Sequence, residues 1–278
     1  MRDIARARPW LGTIVGIRVG GLAEARAIDA IERAFDEIGA VHRCMSFHER
    51  DSDLSRLHRA NGAAIAVDAR THDVLARAIA LAGQSDGLFD PSIGGTLVDW
   101  NVLPRPVEAR DADPRATWRD IELLDDAHVR LRRPLWIDLG GIAKGYAVDR
   151  ALAILREHGA TSASVNAGGD LARFGSMPEA IALDTGSGDV PVAIELGDAA
   201  VATSSGFAFA RRHVHGRKRR ATGARRSVSV VASSCCIADA LTKVLLADRR
   251  AGESLLRHHR AHAYEFDATR GWRRLGAS

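Results

Sequence analysis

Between about Leu22 and Met45, apolar residues recur every three or four positions, at Ile28, Ile31, Phe35, Ile38 and Val41. That period predicts an amphipathic helix packed on a sheet. Before it, Thr13 to Val19 alternates loosely and is rich in β-branched residues, which predicts a strand. Asp51-Ser52-Asp53 offers N-cap side chains for a short helix carrying Leu54 and Leu57, closed by Asn61-Gly62. Thr71 is expected to cap a further helix with Val74, Leu75, Ala78, Ile79 and Ala82 on one face. The stretch from Trp100 to Pro114 holds three prolines and reads as a loop.

The clearest unit is central. The apolar run Leu135 to Asp138 predicts a strand, followed by a helix to about His158 with Ala147, Val148, Ala151, Leu152 and Leu155 facing inward. Gly159 stops that helix, and Ser162 to Asn166 makes the next strand, ending in Gly168-Gly169-Asp170. Later strands are expected at Val190–Leu196, Ala200–Ser204, Ser227–Ala232 and Ala263–Phe266, with a helix over Cys236–Ala247. No internal repeat or low-complexity linker divides the chain, so strands and helices mix without a domain boundary. An α+β architecture follows, not a regular βαβ repeat.

Composition changes this picture little. The chain has 278 residues, 46% hydrophobic and 27% charged, with a formal net charge of +4. That charge does not demand a nucleic-acid partner. Cys44, Cys235 and Cys236 form no disulfide framework and no CxxC pair, and the adjacent two read as small buried hydrophobes. The N-terminus has basic residues but no apolar signal region, and no apolar run is long enough to span a membrane. The expectation is a cytoplasmic protein without a membrane span, or an exported one if the N-terminus is incomplete.

The candidate chemistry starts at Asp138-Leu139-Gly140-Gly141-Ile142-Ala143-Lys144. It places a carboxylate, approachable backbone and a cation at one junction, as a phosphate-bearing ligand requires. A tight turn with a solvated lysine is the plain alternative. Asp86-Gly87-Leu88-Phe89-Asp90-Pro91 sets two acids around an apolar pair, and Asn166-Ala167-Gly168-Gly169-Asp170 repeats the glycine arrangement. In Ala238-Asp239-Ala240-Leu241-Thr242-Lys243, Asp239, Thr242 and Lys243 share one helix face. A carboxylate and a hydroxyl so spaced suit Mg²⁺. An i,i+4 salt bridge between Asp239 and Lys243 is the competing reading, and it would reduce the acid's availability to a metal.

In order along the chain, these segments resemble the ApbE-type FAD:protein FMN transferases. Leu11-Gly12-Thr13 stands where that family has Met-Gly-Thr. Met45-Ser46-Phe47-His48 with Asp51 to Leu57, Asp86 to Pro91, the Asp138 to Asp149 signature, Asn166 to Asp170, and Asp239 to Thr242 follow. The resemblance implies an ApbE-like, T-fold-like architecture of mixed or antiparallel sheets with packed helices, as one domain over residues 1–278. It implies that FAD is the donor substrate and Mg²⁺ a cofactor. The FMN moiety would pass to a Thr or Ser hydroxyl of a client flavoprotein as a phosphodiester, with AMP departing. It puts Leu11, His48, Leu88, Phe89, Asp90, Asp138, Lys144, Gly168 and Gly169 at cofactor-binding positions. Gly141, through its carbonyl, joins Asp239 and Thr242 at the metal site. Asp239, Lys243 and His215 form the implied catalytic set.

This chain departs from the family pattern at three places. Lys243 stands where many members have a threonine metal ligand; an ammonium cannot ligate Mg²⁺, so it displaces the metal or supplements it as a point cation. The family's His-x-x-x-Pro-x-Thr-Gly segment here reads His213-Val214-His215-Gly216-Arg217-Lys218-Arg219-Arg220-Ala221-Thr222-Gly223, leaving His213 and His215 as alternatives. His48 replaces a tyrosine. The run Arg211 to Arg226 holds eight Arg or Lys residues without interleaved aromatics, and is expected to be a solvated, mobile loop, not a nucleic-acid surface. A flavin-binding protein that has lost transfer is the rival reading.

Overall fold

The computed structural model describes residues 3–188, 191–207 and 213–276. Among them, eight strands form one antiparallel sheet whose spatial order is the chain order: β1 (Ile4–Trp10), β2 (Thr13–Gly20), β3 (Ser162–Ala167), β4 (Asp170–Phe174), β5 (Ala199–Ser205), β6 (Arg226–Ala232), β7 (His262–Asp267) and β8 (Gly271–Leu275). Everything else is inserted between neighbours of this meander. Between β2 and β3 lie α1 (Glu24–Met45), α2 (Asp53–Arg59), α3 (Ala69–Gln84), α4 (Gly94–Asp99), a three-stranded sheet (Ile65–Ala66, Ile121–Leu124, His128–Leu131) and α5 (Ala143–Glu157). Between β6 and β7 lie α6 (Cys235–Ala247) and α7 (Arg249–His258). Thus the α+β class with antiparallel sheets and packed helices is observed.

Side-chain alternation sets the two faces of the sheet. On β2, Val15, Ile17 and Val19 point into the core, whereas Ile14 is 62% exposed. α1, α5 and α6 cover the inner face, α1 packing on α5 and α5 on α6. Phe35, Ile31 and Ile38 of α1 are fully buried, as its period requires. A smaller apolar cluster of Leu171, Val201 and Val231 with Leu183, Ile194 and Leu196 covers the other face beneath the hairpin Glu179–Leu183/Val192–Leu196. The expected start of that second strand, Val190, lies outside the described residues.

Two expectations need correction. Leu135 to Asp138 belongs to no helix and no sheet. Its backbone is pinned by loops and a side chain: Gly94 N–H donates to the Trp136 carbonyl (3.0 Å), Asp138 N–H to Pro91 (2.8 Å), and Ile137 N–H to His58 Nε2 (2.8 Å). Leu135, Trp136 and Ile137 are nonetheless buried, which is what makes the run apolar. α3 is capped by Asp68, which accepts from Arg70 N–H, while Thr71 lies inside the helix and donates its hydroxyl to Asp53 (2.7 Å). Asp68 starts the helix because its carboxylate reaches the free first-turn N–H groups.

The α5–α6 contact builds the site. A Cβ on Gly145 would fall 2.3 Å from the Cys235 carbonyl oxygen, so only glycine lets the two helix N-termini meet. The Asp149 carboxylate of α5 accepts from Ser234 Oγ (2.7 Å), Cys235 N–H (2.8 Å) and Cys236 N–H (2.9 Å), closing the start of α6. In return Asp239 of α6 takes the Gly145 N–H of α5 at 3.4 Å. Cys235 and Cys236 are buried in this contact, and burial holds both thiols in the protonated form.

Candidate active site

A cavity of about 360 Å³ opens beside this helix pair. Leu88, Phe89 and Asp90 form one wall, Gly140 and Gly141 a second, and Ser204 and Ser205 of β5 a third; Asp138, Lys144, Lys243 and His213 also line it. The Leu88–Asp90 wall is tied to the rest of the chain at both ends. Asp90 accepts from the Ser92 amide (2.8 Å) and hydroxyl (2.7 Å) and pairs with Arg219 (2.9 Å), and Gly216 N–H donates to the Leu88 carbonyl (3.0 Å). Burial pushes the Asp90 carboxyl above its ordinary range, against the pull of Arg219.

The basic run, expected to be a solvated, mobile loop, is tied down at three of its arginines, while Lys218, Arg220 and Arg225 are exposed. Arg219 reaches Asp90, Arg217 pairs with Asp86 (2.6 Å), and Arg226 bridges to the buried Glu265. These acids are remote in sequence, which is why the run reads as free charge. Arg211 and Arg212 lie outside the described residues.

Asp138 faces the cavity and accepts from Gly140 N–H (3.2 Å). Its desolvation raises its pKa, opposed by that amide and by Lys243; Asp239 pushes the same way as desolvation. Lys144 pairs with Asp170, whose other oxygen, Oδ1, is buried without a partner. Burial and then the Asp239 charge raise the Asp170 carboxyl to about 6. Burial opposes the Lys144 charge, yet Asp239 and Asp170 hold its pKa above the usual lysine value.

Asp239 and Thr242 are 0% exposed and sit behind Lys243. Lys243 pairs with Asp239 Oδ1 and donates to Ser204 Oγ (2.9 Å). Thr242 Oγ1 donates to the Asp239 carbonyl (2.6 Å) and shares a 2.7 Å hydrogen bond with Ser204. The Thr242 proton is committed to that carbonyl, so Ser204 donates to Thr242 and accepts from Lys243. Burial works to raise the Asp239 pKa, but the Lys243 and Lys144 ammonium groups outweigh it and hold the carboxyl below its usual range. The salt bridge raised as the competing sequence reading is thus formed.

Other sequence-predicted residues fall elsewhere. Leu11 sits in the β1–β2 turn at φ 56°, and Gly168 and Gly169 make the exposed β3–β4 turn. The turns abut: a Cβ on Gly168 would lie 2.5 Å from Thr13 Oγ1. They flank the site through Asp170 and do not line the cavity. His48 is exposed, close enough to Asp138 for its charge to lower that carboxyl's pKa. Of the two histidines, His213 lines the cavity, with Nε2 3.1 Å from the Ser205 carbonyl. His215 is buried in the Val214–His215/Arg220–Ala221 hairpin, where the Lys218 N–H donates to its Nδ1 (3.4 Å); burial and then Lys218 and Arg217 lower its pKa. The two histidines are two residues apart, so strand alternation does not separate them; the cavity lining, which holds His213 and not His215, does. Asp170, Ser204 and Arg219 were missed as site residues; of these only Asp170 carried a signal, its position closing the Asn166 to Asp170 segment.

Two ammonium groups, glycine-lined backbone and an apolar wall on an antiparallel α+β scaffold define a pocket for an anionic, partly apolar ligand. The chain belongs to the ApbE family, whose model matches residues 11–265. The FAD:protein FMN transferase of Treponema pallidum is 29% identical over 192 residues, 63% of this chain and 52% of that protein. The FAD:protein FMN transferase of Vibrio cholerae is 30% identical over 222 residues, 72% and 65% respectively. The matched stretch therefore spans less than two thirds of either curated relative. The ApbE protein of Thermotoga maritima superposes with a TM-score of 0.82 at 25% identity, covering 99% of this chain and 97% of that one.

Proposed function

We propose that this chain is a flavin transferase that moves the FMN moiety of FAD onto a Thr or Ser hydroxyl of a client flavoprotein, one domain over residues 1–278 carrying the activity. The carrying observation is the paired ammonium groups of Lys144 and Lys243 at the glycine-walled cavity, a placement suited to a pyrophosphate. In the reaction the client oxygen bonds to the FMN phosphorus, the pyrophosphate P–O bond breaks, the hydroxyl proton leaves, and AMP departs. Lys144 and Lys243 would offset charge gathering on the phosphoryl oxygens, and the Gly140-Gly141 backbone would let the phosphates approach. Leu88 and Phe89 offer apolar surface to a ring system. His213, ahead of His215, is the candidate to accept the hydroxyl proton.

The Mg²⁺ implied by the family does not fit the residues present. Of the three expected ligands, Asp239 is held by Lys243 and the Gly145 N–H, and the Thr242 hydroxyl is engaged with the Asp239 carbonyl and Ser204. No step is routed through a metal.

The test is to incubate the protein with FAD and a domain bearing an acceptor threonine, then weigh that domain by mass spectrometry. A gain of one FMN moiety with release of AMP is expected. Tight FAD binding with neither product would instead make this a flavin-binding protein. No helix among the described residues is long and apolar enough to cross a membrane.

A further inference from the structure

We infer that the Lys243 ammonium is the built-in cation of this site, taking the place of a divalent ion, so that the chain grips the pyrophosphate of FAD without metal. The inference rests on the reading of the cavity as an FAD site and deepens it.

Four observations carry it. The ammonium lies between Asp239 Oδ1 and Ser204 Oγ, the oxygens a hard cation beside Asp239 would seek. The lysine stem occupies the space beside Gly141: a Cβ on that glycine would sit 3.4 Å from both Lys243 Cε and Phe89 Cε2. An ion entering there would have to displace the side chain and bear its positive charge nearby. The Thr242 hydroxyl, the remaining expected ligand, is already held in the run of hydrogen bonds from Lys243 through Ser204 to the Asp239 carbonyl. Finally, Lys243 lines the cavity while Asp239 lies buried behind it, so the lysine is the group that meets a ligand. A phosphate oxygen can share or replace Asp239 as its partner, since an ammonium has three donors and here uses two.

The experiment is calorimetric titration of the intact protein with FAD, in EDTA and in excess Mg²⁺. Alongside it, free Mn²⁺ is measured by electron paramagnetic resonance as the protein is added. The wild-type protein is expected to bind FAD with dissociation constants agreeing within about twofold in the two buffers, and to leave the free Mn²⁺ signal unchanged. Binding at least about tenfold tighter with Mg²⁺, or depletion of free Mn²⁺, would overturn the inference and leave the FAD reading standing. Absence of FAD heat in both buffers would instead remove the FAD reading, and the inference with it. In Lys243→Thr, Asp239 loses its counter-ion and gains an oxygen neighbour. That variant is expected to deplete free Mn²⁺, to melt higher with Mg²⁺, and to bind FAD about tenfold tighter with Mg²⁺ than in EDTA. Metal-insensitive FAD binding of wild-type strength in Lys243→Thr would deny the lysine its role. Should that variant not fold, the wild-type titrations decide the matter alone.

Discussion

α5 and α6 each lend a carboxylate to the other's first turn, and the two ends of this exchange differ in kind. Asp149 is saturated by two backbone N–H groups and a hydroxyl, all neutral, and burial leaves its pKa raised. Asp239 holds a single long amide contact and shares the ammonium of Lys243, and the lysines leave its pKa lowered against the same burial. Hydrogen bonds from fixed backbone leave a carboxylate nothing to exchange. A counter-ion on a flexible side chain at a cavity wall can be shared with an incoming anion. Within one helix pair, the first arrangement closes the helix junction and the second borders the cavity through Lys243.

Substitution separates the two most sharply. Asp149→Ala strands the Cys235 and Cys236 amides in a buried contact and takes away the acceptor of Ser234, the N-cap of α6. We expect a loss of roughly 3–5 kcal/mol in urea unfolding, with FAD affinity falling only as the folded fraction falls. Asp239→Asn keeps an acceptor for Gly145, and Lys144 keeps Asp170. Its expected cost is about 1–3 kcal/mol, while flavin transfer by the folded protein falls at least about tenfold because Lys243 loses its anchor. The reverse ranking in unfolding midpoints would dissolve the distinction.

Asp170 tests how far the charged end extends. Its folded pKa of about 6 lies above the ordinary 3.8, so the native state keeps the proton longer than the unfolded chain. The associated stability is fully present below pH 3.8 and is lost as the pH rises through about 6. Relative to Asp170→Asn, the wild-type protein should therefore lose ground between those limits and hold a constant difference above them. The span is on the order of 3 kcal/mol, read as the difference in unfolding free energy across pH. A difference independent of pH would mean that Asp170 titrates normally.

Local signals made much of this legible. The period of Ile31, Phe35 and Ile38 gives α1, Ser52 gives the start of α2, and the Asp239–Lys243 spacing gives the salt bridge. What escaped depends on partners remote in the chain. Asp149 lies 86 residues from the Cys235 amide it accepts, and Arg219 lies 129 from Asp90, so neither neighbourhood announces the pairing. Leu135 to Asp138 reads as a strand because a buried segment outside any sheet and a buried strand select the same apolar residues. β1 went unrecognised for the opposite reason: as an edge strand, with Arg6 and Arg8 among its residues, it lacks the apolar density of a core strand. Choosing His213 over His215 requires the hairpin's orientation, which spacing does not carry.

Two serines give the smallest and most selective comparison. Ser234 donates to Asp149 (2.7 Å) and accepts from Ile237 N–H (3.4 Å); Ser204 accepts from Lys243 (2.9 Å) and bonds Thr242 (2.7 Å). Removing either hydroxyl should cost about 1 kcal/mol, since Asp149 keeps its two amides and Lys243 keeps Asp239. The costs should match while the consequences for ligand do not. Ser234→Ala leaves FAD affinity unchanged, because its contacts end inside the helix junction. Ser204→Ala frees Lys243 from one of its two oxygens and should shift the FAD dissociation constant by about threefold, a change that titration calorimetry resolves. Equal shifts in the two variants would place both ends of the α5–α6 exchange in the same class and remove the basis for treating Asp239 as the functional one.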